Sequence, residues 1–404
     1  MRNKLYAILL GSVLASCSLN GFREDDVEKR TTWLSVGVSC LKTYATDDGL
    51  LSESKINTCH IVLFDENGAF EKTVETLNPA SGKSDVFTIP VGKKKILAYV
   101  NAPAVLSSYL KGLTNGATFE AVKNYALTLT NPGDISPYAT NDNDGSFTMT
   151  NEDCETIYDL KYYGTEEAAK NAPVVVNVKR VVAKVEVKCA LVESGLKLNG
   201  TIDEVKTLLN STNNSSYPFA NVLSGVVQDL NFTRNDATVA TGYYMHPENN
   251  SFIWNQSVDA SGNVFSSPIY CLENTNRFAD QYEDNTTHLL VRVKFTPSSG
   301  AAGDGSFWVK DGSFSATDNN GVKYEGGYMY YRIYFKHDIR QSPVNDMLYG
   351  VVRNCWYKVT ITSFSGVGAP TYQRPAKTKI TTDGKVQVSI NVVPWNVIEQ
   401  SVEV

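Results

Sequence analysis

The stretch VVVNVKRVVAKVEV, Val174 to Val187, is the strongest strand-type run in the middle of the chain. β-branched residues dominate it, and their side chains pack best on a pleated, extended backbone. Just before it, Gly164 to Pro173 is polar, Ala-rich and closed by a proline. That change of composition predicts a boundary, with one domain over 32–172 and a second over 173–404. A length of 404 residues agrees with two domains.

Similar text lies on both sides. Leu34, Val36, Val38 and Cys40 alternate with Ser35, Gly37 and Ser39, which predicts a strand with one apolar face. Ile56 to Phe64 reads as a strand, and Asp65-Glu66-Asn67-Gly68 as the turn of a hairpin. Phe87 to Val91 and Lys95 to Asn101 follow, with Phe147 to Thr150 as a short edge strand. Beyond the boundary, strands are predicted at Phe252 to Trp254, Ser267 to Leu272, Leu289 to Phe295, Tyr328 to Phe335 and Trp356 to Ser363. Thr118 to Leu129 and Ile202 to Leu209 are the two helix candidates. The chain carries 22 Tyr and 16 Phe against 5 Met, a bias towards strands. The predicted fold class is mainly all-β: two tandem β-sandwiches with Greek-key, transthyretin-like connections and a few short helices.

The N-terminus reads as an export signal. Met1 to Lys4 is basic, and Leu5 to Leu14 is apolar but too short to span a bilayer. Leu14-Ala15-Ser16-Cys17 resembles the lipobox of bacterial lipoproteins, which implies cleavage before Cys17 and acylation of its thiol, so that 1–17 carries the signal and its lipidation site. Two or more acyl chains, at about 0.8 kcal/mol per buried methylene, hold such a product at a membrane. Residues 18–31 form a polar tether, whose Glu24-Asp25-Asp26 resembles the export signals of surface lipoproteins in the Bacteroidetes.

Little points to catalysis. His60, His246, His288 and His337 are the four histidines, and none stands in a triad or zinc-type spacing. His60, inside an apolar strand, reads as a satisfied core residue. Cys40, Cys59, Cys154, Cys189, Cys271 and Cys355 show no metal-ligand spacing and read as buried thiols rather than a disulfide framework. Asn141 to Gly145 resembles part of a calcium loop, but Thr140 and Asn151 stand where its key carboxylates belong. No catalytic residue, metal or cofactor is predicted. A net charge of −6 gives no reason to expect nucleic acid as a partner.

Several segments together resemble one family, the fimbrillins or type V pilins of the Bacteroidetes, and within it the Mfa-like subunits. Ile89-Pro90-Val91-Gly92 with Ile96 and Tyr99-Val100-Asn101 is similar to a strand pair of its N-terminal domain. Val178 to Val185 is similar to the strand that opens its C-terminal domain. Tyr349 to Asn354 with Trp356-Tyr357, then Gly366 and Gly368, is the sharpest match, and the final Val-Pro-Trp and Val-Glu-Val resemble the end of shaft subunits. The resemblance implies an exported lipoprotein of the outer membrane that becomes a surface fimbrium serving adhesion. It implies further that a protease removes the lipid and the first strand, and that the vacated groove takes the C-terminal strand of another subunit.

On that footing VQVSINVVPWNVIEQSVEV, Val386 to Val404, is the predicted donor. Val386, Val388, Ile390 and Val392 form one apolar face, and Trp395, Val397, Val402 and Val404 continue past Pro394. Four or five inserted aliphatics, at roughly 1.5–3 kcal/mol each, offer on the order of 10 kcal/mol before ordering costs. Ala369 to Lys385 reads as a flexible lead. Leu34, Val36, Val38 and Cys40 form the placeholder strand. The family's Arg-specific cut would fall after it, yet Leu41 to Lys55 holds no Arg. Lys42 is one maturation candidate, and Arg30, before the strand, the other. The partners expected are copies of itself and related fimbrial subunits, with host or bacterial surface ligands and, for the precursor, the outer membrane. Alternatives are an anchor or tip subunit, or a surface glycan-binding lipoprotein using Trp254, Trp308 and Trp395.

Overall fold

The computed structural model describes residues 31–40, 51–76, 82–139, 146–191, 198–223, 226–247, 256–258, 265–336, 349–380 and 386–394. Cys17, Arg30, Lys42, Asn141 to Gly145, Trp254, His337, Trp395, Val397, Val402 and Val404 lie outside them.

The chain begins with β1 (Thr31–Leu34) and β2 (Val36–Cys40). Then come β3 (Cys59–Asp65), β4 (Phe70–Thr76), β5 (Phe87–Pro90) and β6 (Gly92–Val100). The β3–β4 turn uses Gly68 at φ +86°, and the Ala69 amide donates to Asp65 Oδ1 at 2.8 Å. Helices α1 (Ala104–Lys111) and α2 (Phe119–Lys123) precede β7 (Met149–Asn151), β8 (Ile157–Leu160) and β9 (Val174–Arg180). Seven strands form one sheet, ordered β2-β9-β7-β6-β3-β4, with β8 also on β6. The β1–β5 pair covers one face, burying Leu34, Phe87 and Ile89 against Ile61, Ile96 and Val176. The other face receives Leu106 and Leu110 of α1 and Phe119 and Val122 of α2.

The run that opened the sequence reading is not one strand. It breaks at Val181, and β9 stays in the first sheet, bonded to β2 and β7. The second sandwich starts only with β10 (Val182–Cys189). The sheets therefore part at Val181 rather than after residue 172, because hydrogen bonding, not the composition of the linker, decides which sheet a strand joins. β7, expected at an edge, lies inside the sheet between β9 and β6.

The second sandwich comprises β10, β11 (Gly200–Asn210), β12 (Gln256–Val258), β13 (Ile269–Leu272), β14 (His288–Pro297), β15 (Tyr328–Tyr334), β16 (Cys355–Phe364) and β17 (Val386–Pro394). One sheet is ordered β13-β10-β16-β17, the other β12-β11-β14-β15. Their facing rows, such as Val185, Val187, Val359 and Ile361 against Val205, Val291, Val293 and Met329, make the largest core. The helix expected at Ile202 to Leu209 is strand β11, paired along its length with β14. Its short apolar run fits either period, and tertiary pairing decided. The helix expected over Thr118 to Leu129 stops at Lys123, and Leu127–Thr128 is extended against Ser215–Ser216.

The two units share a core. Val181, Val182, Phe219, Tyr270, Leu272 and Trp356 pack into the same cluster as Phe64, Leu97 and Tyr99 of the first sheet.

Candidate functional site

The first strand lies in a slot. β1 runs antiparallel to β5, with Thr32 opposite Ile89 and Leu34 opposite Phe87. At Ser35 the chain leaves that pair, and β2 runs parallel to β9, with Val36 opposite Val174 and Cys40 opposite Val178. The predicted single strand is thus two pieces in two sheets. The far edge of β2 is also covered. The Val38 amide donates to Gly82 O at 2.8 Å, and the Ser84 amide to Val36 O at 2.8 Å. The Val36 amide donates to Ser84 Oγ at 2.9 Å. At the N-terminal end the Tyr163 amide donates to Thr32 Oγ1 at 2.7 Å. Leu34 and Val36 are buried and Val38 is half-buried. Removing this segment would bare backbone on β5, on β9 and on residues 82–84, together with the apolar floor under Leu34 and Val36. The segment 82–84, which the sequence reading did not single out, is one wall of the slot.

The closing strand is already paired. β17 lies antiparallel to β16 of its own chain, with Val388 opposite Ile361, Ile390 opposite Val359, Val392 opposite Tyr357 and Pro394 opposite Cys355. Val388 and Ile390 pack against the second core. β17 is the outermost strand of its sheet, and Pro394, which has no N–H to donate, ends the ladder. The lead before it is docked over 369–380. Ala369 and Tyr330 exchange backbone hydrogen bonds at 2.9 Å, and the buried Tyr372 hydroxyl donates to His246 O at 2.8 Å. The expectation of a flexible lead is corrected for those residues: a buried tyrosine with a partnered hydroxyl anchors them.

Between slot and closing strand lies a buried polar seam. Arg180, at the end of β9, donates from Nε to Glu53 O at 2.8 Å, and through its terminal nitrogens to Ser54 Oγ at 3.0 Å and Asn354 Oδ1 at 3.3 Å. Lys184, in β10, sits 2.9 Å from Glu53 Oε1 and 4.0 Å from the centre of the Trp356 ring. The Tyr270 hydroxyl donates to Glu53 Oε1 at 2.7 Å, and burial beside that carboxylate pushes its pKa up. Glu53, Arg180 and Lys184 are each at most 1% exposed. Only part of the signal was available: Arg180 and Lys184 are cations in a Val-rich run, but Asn177, Lys179 and Glu186 are polar there too, so the sequence does not single out the buried pair.

Elsewhere the site residues are structural. His60 is buried and half-satisfied: Nε2 lies 3.0 Å from Ser107 Oγ, but Nδ1 has no partner. His288 is buried with Nδ1 at 3.0 Å from Thr286 O, and desolvation lowers its pKa to about 3. Cys59, Cys154, Cys189 and Cys271 are buried and Cys355 is half-buried. Burial raises Cys59, Cys271 and Cys355 to about 12. Trp308 is half-buried, with Lys323 Nζ 5.5 Å from its ring centre. Among the described residues no group of three or more His, Cys, Asp or Glu could hold a metal.

Residues 322–401, which hold β15, β16 and β17, match the family model described as major fimbrial subunit protein type IV, fimbrillin, C-terminal. Over these residues the chain is similar to the C-terminal region of fimbrillins. The fimbrillin likeness extends to both domains as a likeness of fold. A fimbrilin of Porphyromonas gingivalis W83 superposes with a TM-score of 0.52 at 18% identity, covering 91% of this chain and 99% of that one. A candidate cell adhesion protein of Bacteroides eggerthii DSM 20697 does so with a TM-score of 0.52 at 14% identity, covering 91% and 98%. No curated protein matches the chain.

Proposed function

We propose that this chain is a fimbrillin, a structural subunit of a surface fimbrium, exported as a lipoprotein acylated at Cys17 and polymerised by strand exchange. In this reading residues 31–40 hold a slot until cleavage, at Lys42 or another position after the strand, releases them. The C-terminal segment of another copy then enters. The observation that carries it is the slot itself: one N-terminal segment lies between two backbone edges and over an apolar floor.

The paired state of β17 moves the donor. Withdrawing β17 would break a ladder of 9 residues and uncover Val388 and Ile390. Both are half-buried, so uncovering each costs less than the roughly 1.5–3 kcal/mol of a fully buried aliphatic, and the loss of the ladder adds to it. Val386, Val388, Ile390 and Val392 are therefore assigned as the root that stays on β16. Trp395, Val397, Val402 and Val404, beyond Pro394, are assigned as the inserting part.

Two deletions test this. A chain lacking 395–404 should remain a folded monomer and form no SDS-resistant ladder. Deleting 386–404 should also abolish ladders, but lower the thermal midpoint by baring the edge of β16. Ladders that survive loss of 395–404 would disprove the donor assignment. The N-terminal mass of surface-purified material reports maturation: a start after Cys40 supports strand removal, whereas an acylated Cys17 marks an anchored form.

A further inference from the structure

Two stretches near the start of the chain are held by different parts of the fold. Residues 31–40 bond to 82–90, to 161–163 and to β9 up to Val178. Residues 51–58 hang elsewhere. Glu53 and Ser54 receive Arg180, Lys184 and Tyr270, as described above. Lys55 O accepts from Asn101 Nδ2 at 2.7 Å, and the Asn57 and Thr58 amides donate to Asn101 Oδ1 at 2.8 and 3.1 Å. Asn101 is itself buried, with its amide nitrogen also reaching Phe147 O at 3.1 Å.

The first set of bonds is mostly backbone ladder, supplemented by the neutral hydroxyls of Thr32, Ser35 and Ser84, with apolar side chains beneath. The second is charge-assisted and deeply buried at Glu53 and Ser54, and neutral and part-buried at 55–58; the charged contacts are costly to undo, because parting a buried charge from its partner leaves the other uncompensated. Arg180 and Lys184 belong to different sheets but meet the same short turn (Leu51–Ser54). The turn thus bridges the break at Val181.

We propose that Glu53 and its partners form a clasp that uncouples the first strand from the body of the subunit. Residues 31–40 open as a unit of their own, while 51–58 stay docked across the junction of the two sandwiches. The inference deepens the strand-exchange reading and its biological use rests on that reading. It supplies a stop, so that release of the first strand does not unravel the junction through which one subunit pulls on the next. The clasp also predicts that the mature chain begins upstream of Leu51.

Hydrogen exchange on the full-length chain tests the clasp without any polymerisation. Leu34→Ala should raise exchange at least tenfold in peptides covering 31–40, 82–90 and 174–178, and leave 51–58 and 182–187 within twofold of the parent. Glu53→Gln should do the reverse, speeding 51–58 and 182–187 at least tenfold. If Leu34→Ala speeds both sets alike, the uncoupling is disproved. That arm stands even if Glu53→Gln does not fold. In a separate arm, a protease site inserted between residues 41 and 50 is cut and a peptide of residues 386–404 is added. Release of 31–40 with 51–58 still protected supports both ideas. Release with loss of protection at 51–58 overturns the clasp. Retention of 31–40 overturns the placeholder reading alone, the clasp being decided by the first arm.

Discussion

At the scale of single residues, the buried polar groups carry the most information. His288 is fully enclosed beside Tyr334, with ring centres 5.0 Å apart and Nε2 unpartnered. Its folded pKa of about 3 lies below the ordinary 6.5, so the fold favours the neutral ring. The unfolded chain takes up that proton near pH 6.5, while the folded one does not until about pH 3. Stability from this site is therefore complete above pH 6.5 and falls by about 1.4 kcal/mol per unit as pH drops. His60 and His246 are lowered for the same reason and add to the slope. His288→Phe keeps the aromatic contact and removes the titration. Thermal midpoints measured from pH 7 to 4 should fall less steeply in this variant than in the parent. Asp229 works the other way: enclosure raises its carboxyl to about 7, so its contribution is greatest at low pH and declines as pH rises from 4 towards 7. Asp229→Asn should flatten that opposing trend, leaving a steeper net loss of stability on acidification.

At the scale of elements, breaks matter as much as strands. Ser35 divides β1 from β2, and its buried hydroxyl donates to Ser84 O at 3.2 Å while its carbonyl accepts from the Val174 amide at 2.9 Å. Val181 divides β9 from β10. Neither break is visible as a turn signal: the apolar alternation runs straight through Ser35, and at Arg180–Val182 it only shifts phase, from Val176 and Val178 to Ala183, Val185 and Val187. The strands themselves were legible: runs rich in Val, Ile, Thr, Tyr and Phe placed β3, β6, β13, β14, β15 and β16 within a few residues. α1 was legible but overlooked, with Leu106 and Leu110 one turn apart and Gly112 as the stop. β11 was misread because its apolar positions are too few to separate the two periods. Leu34→Ala removes a buried side chain from the slot floor and should cost about 2–5 kcal/mol by denaturant unfolding if the site cannot collapse. A cost below about 1 kcal/mol would mean that β1 contributes little to the first core.

At the scale of the whole molecule, the sandwiches are joined by more than a linker. Phe219, from the excursion between β11 and β12, packs edge-on against Tyr99 of the first sheet with centres 5.0 Å apart. Arg353 braces that excursion, donating to Pro218 O at 2.8 Å and to Ser216 Oγ at 3.0 Å, and pairs with the buried Glu273 at 3.1 Å. A shared core predicts cooperative unfolding. The parent should show one calorimetric transition, and Phe219→Ala should destabilise by about 3–5 kcal/mol and split it into two. Two transitions already in the parent would show that the junction does not couple the units.

The sequence by itself determined the all-β class, the positions of most strands and the fimbrillin resemblance. These follow from local patterns, because side-chain alternation is dictated by the pleat. Only the tertiary structure decided which sheet β9 joins, that 82–84 walls the slot, that β17 lies on β16 and that Glu53 bridges Arg180 and Lys184. Each of these unites residues far apart in the chain, and hydrogen bonding between distant segments leaves no periodic trace in either one.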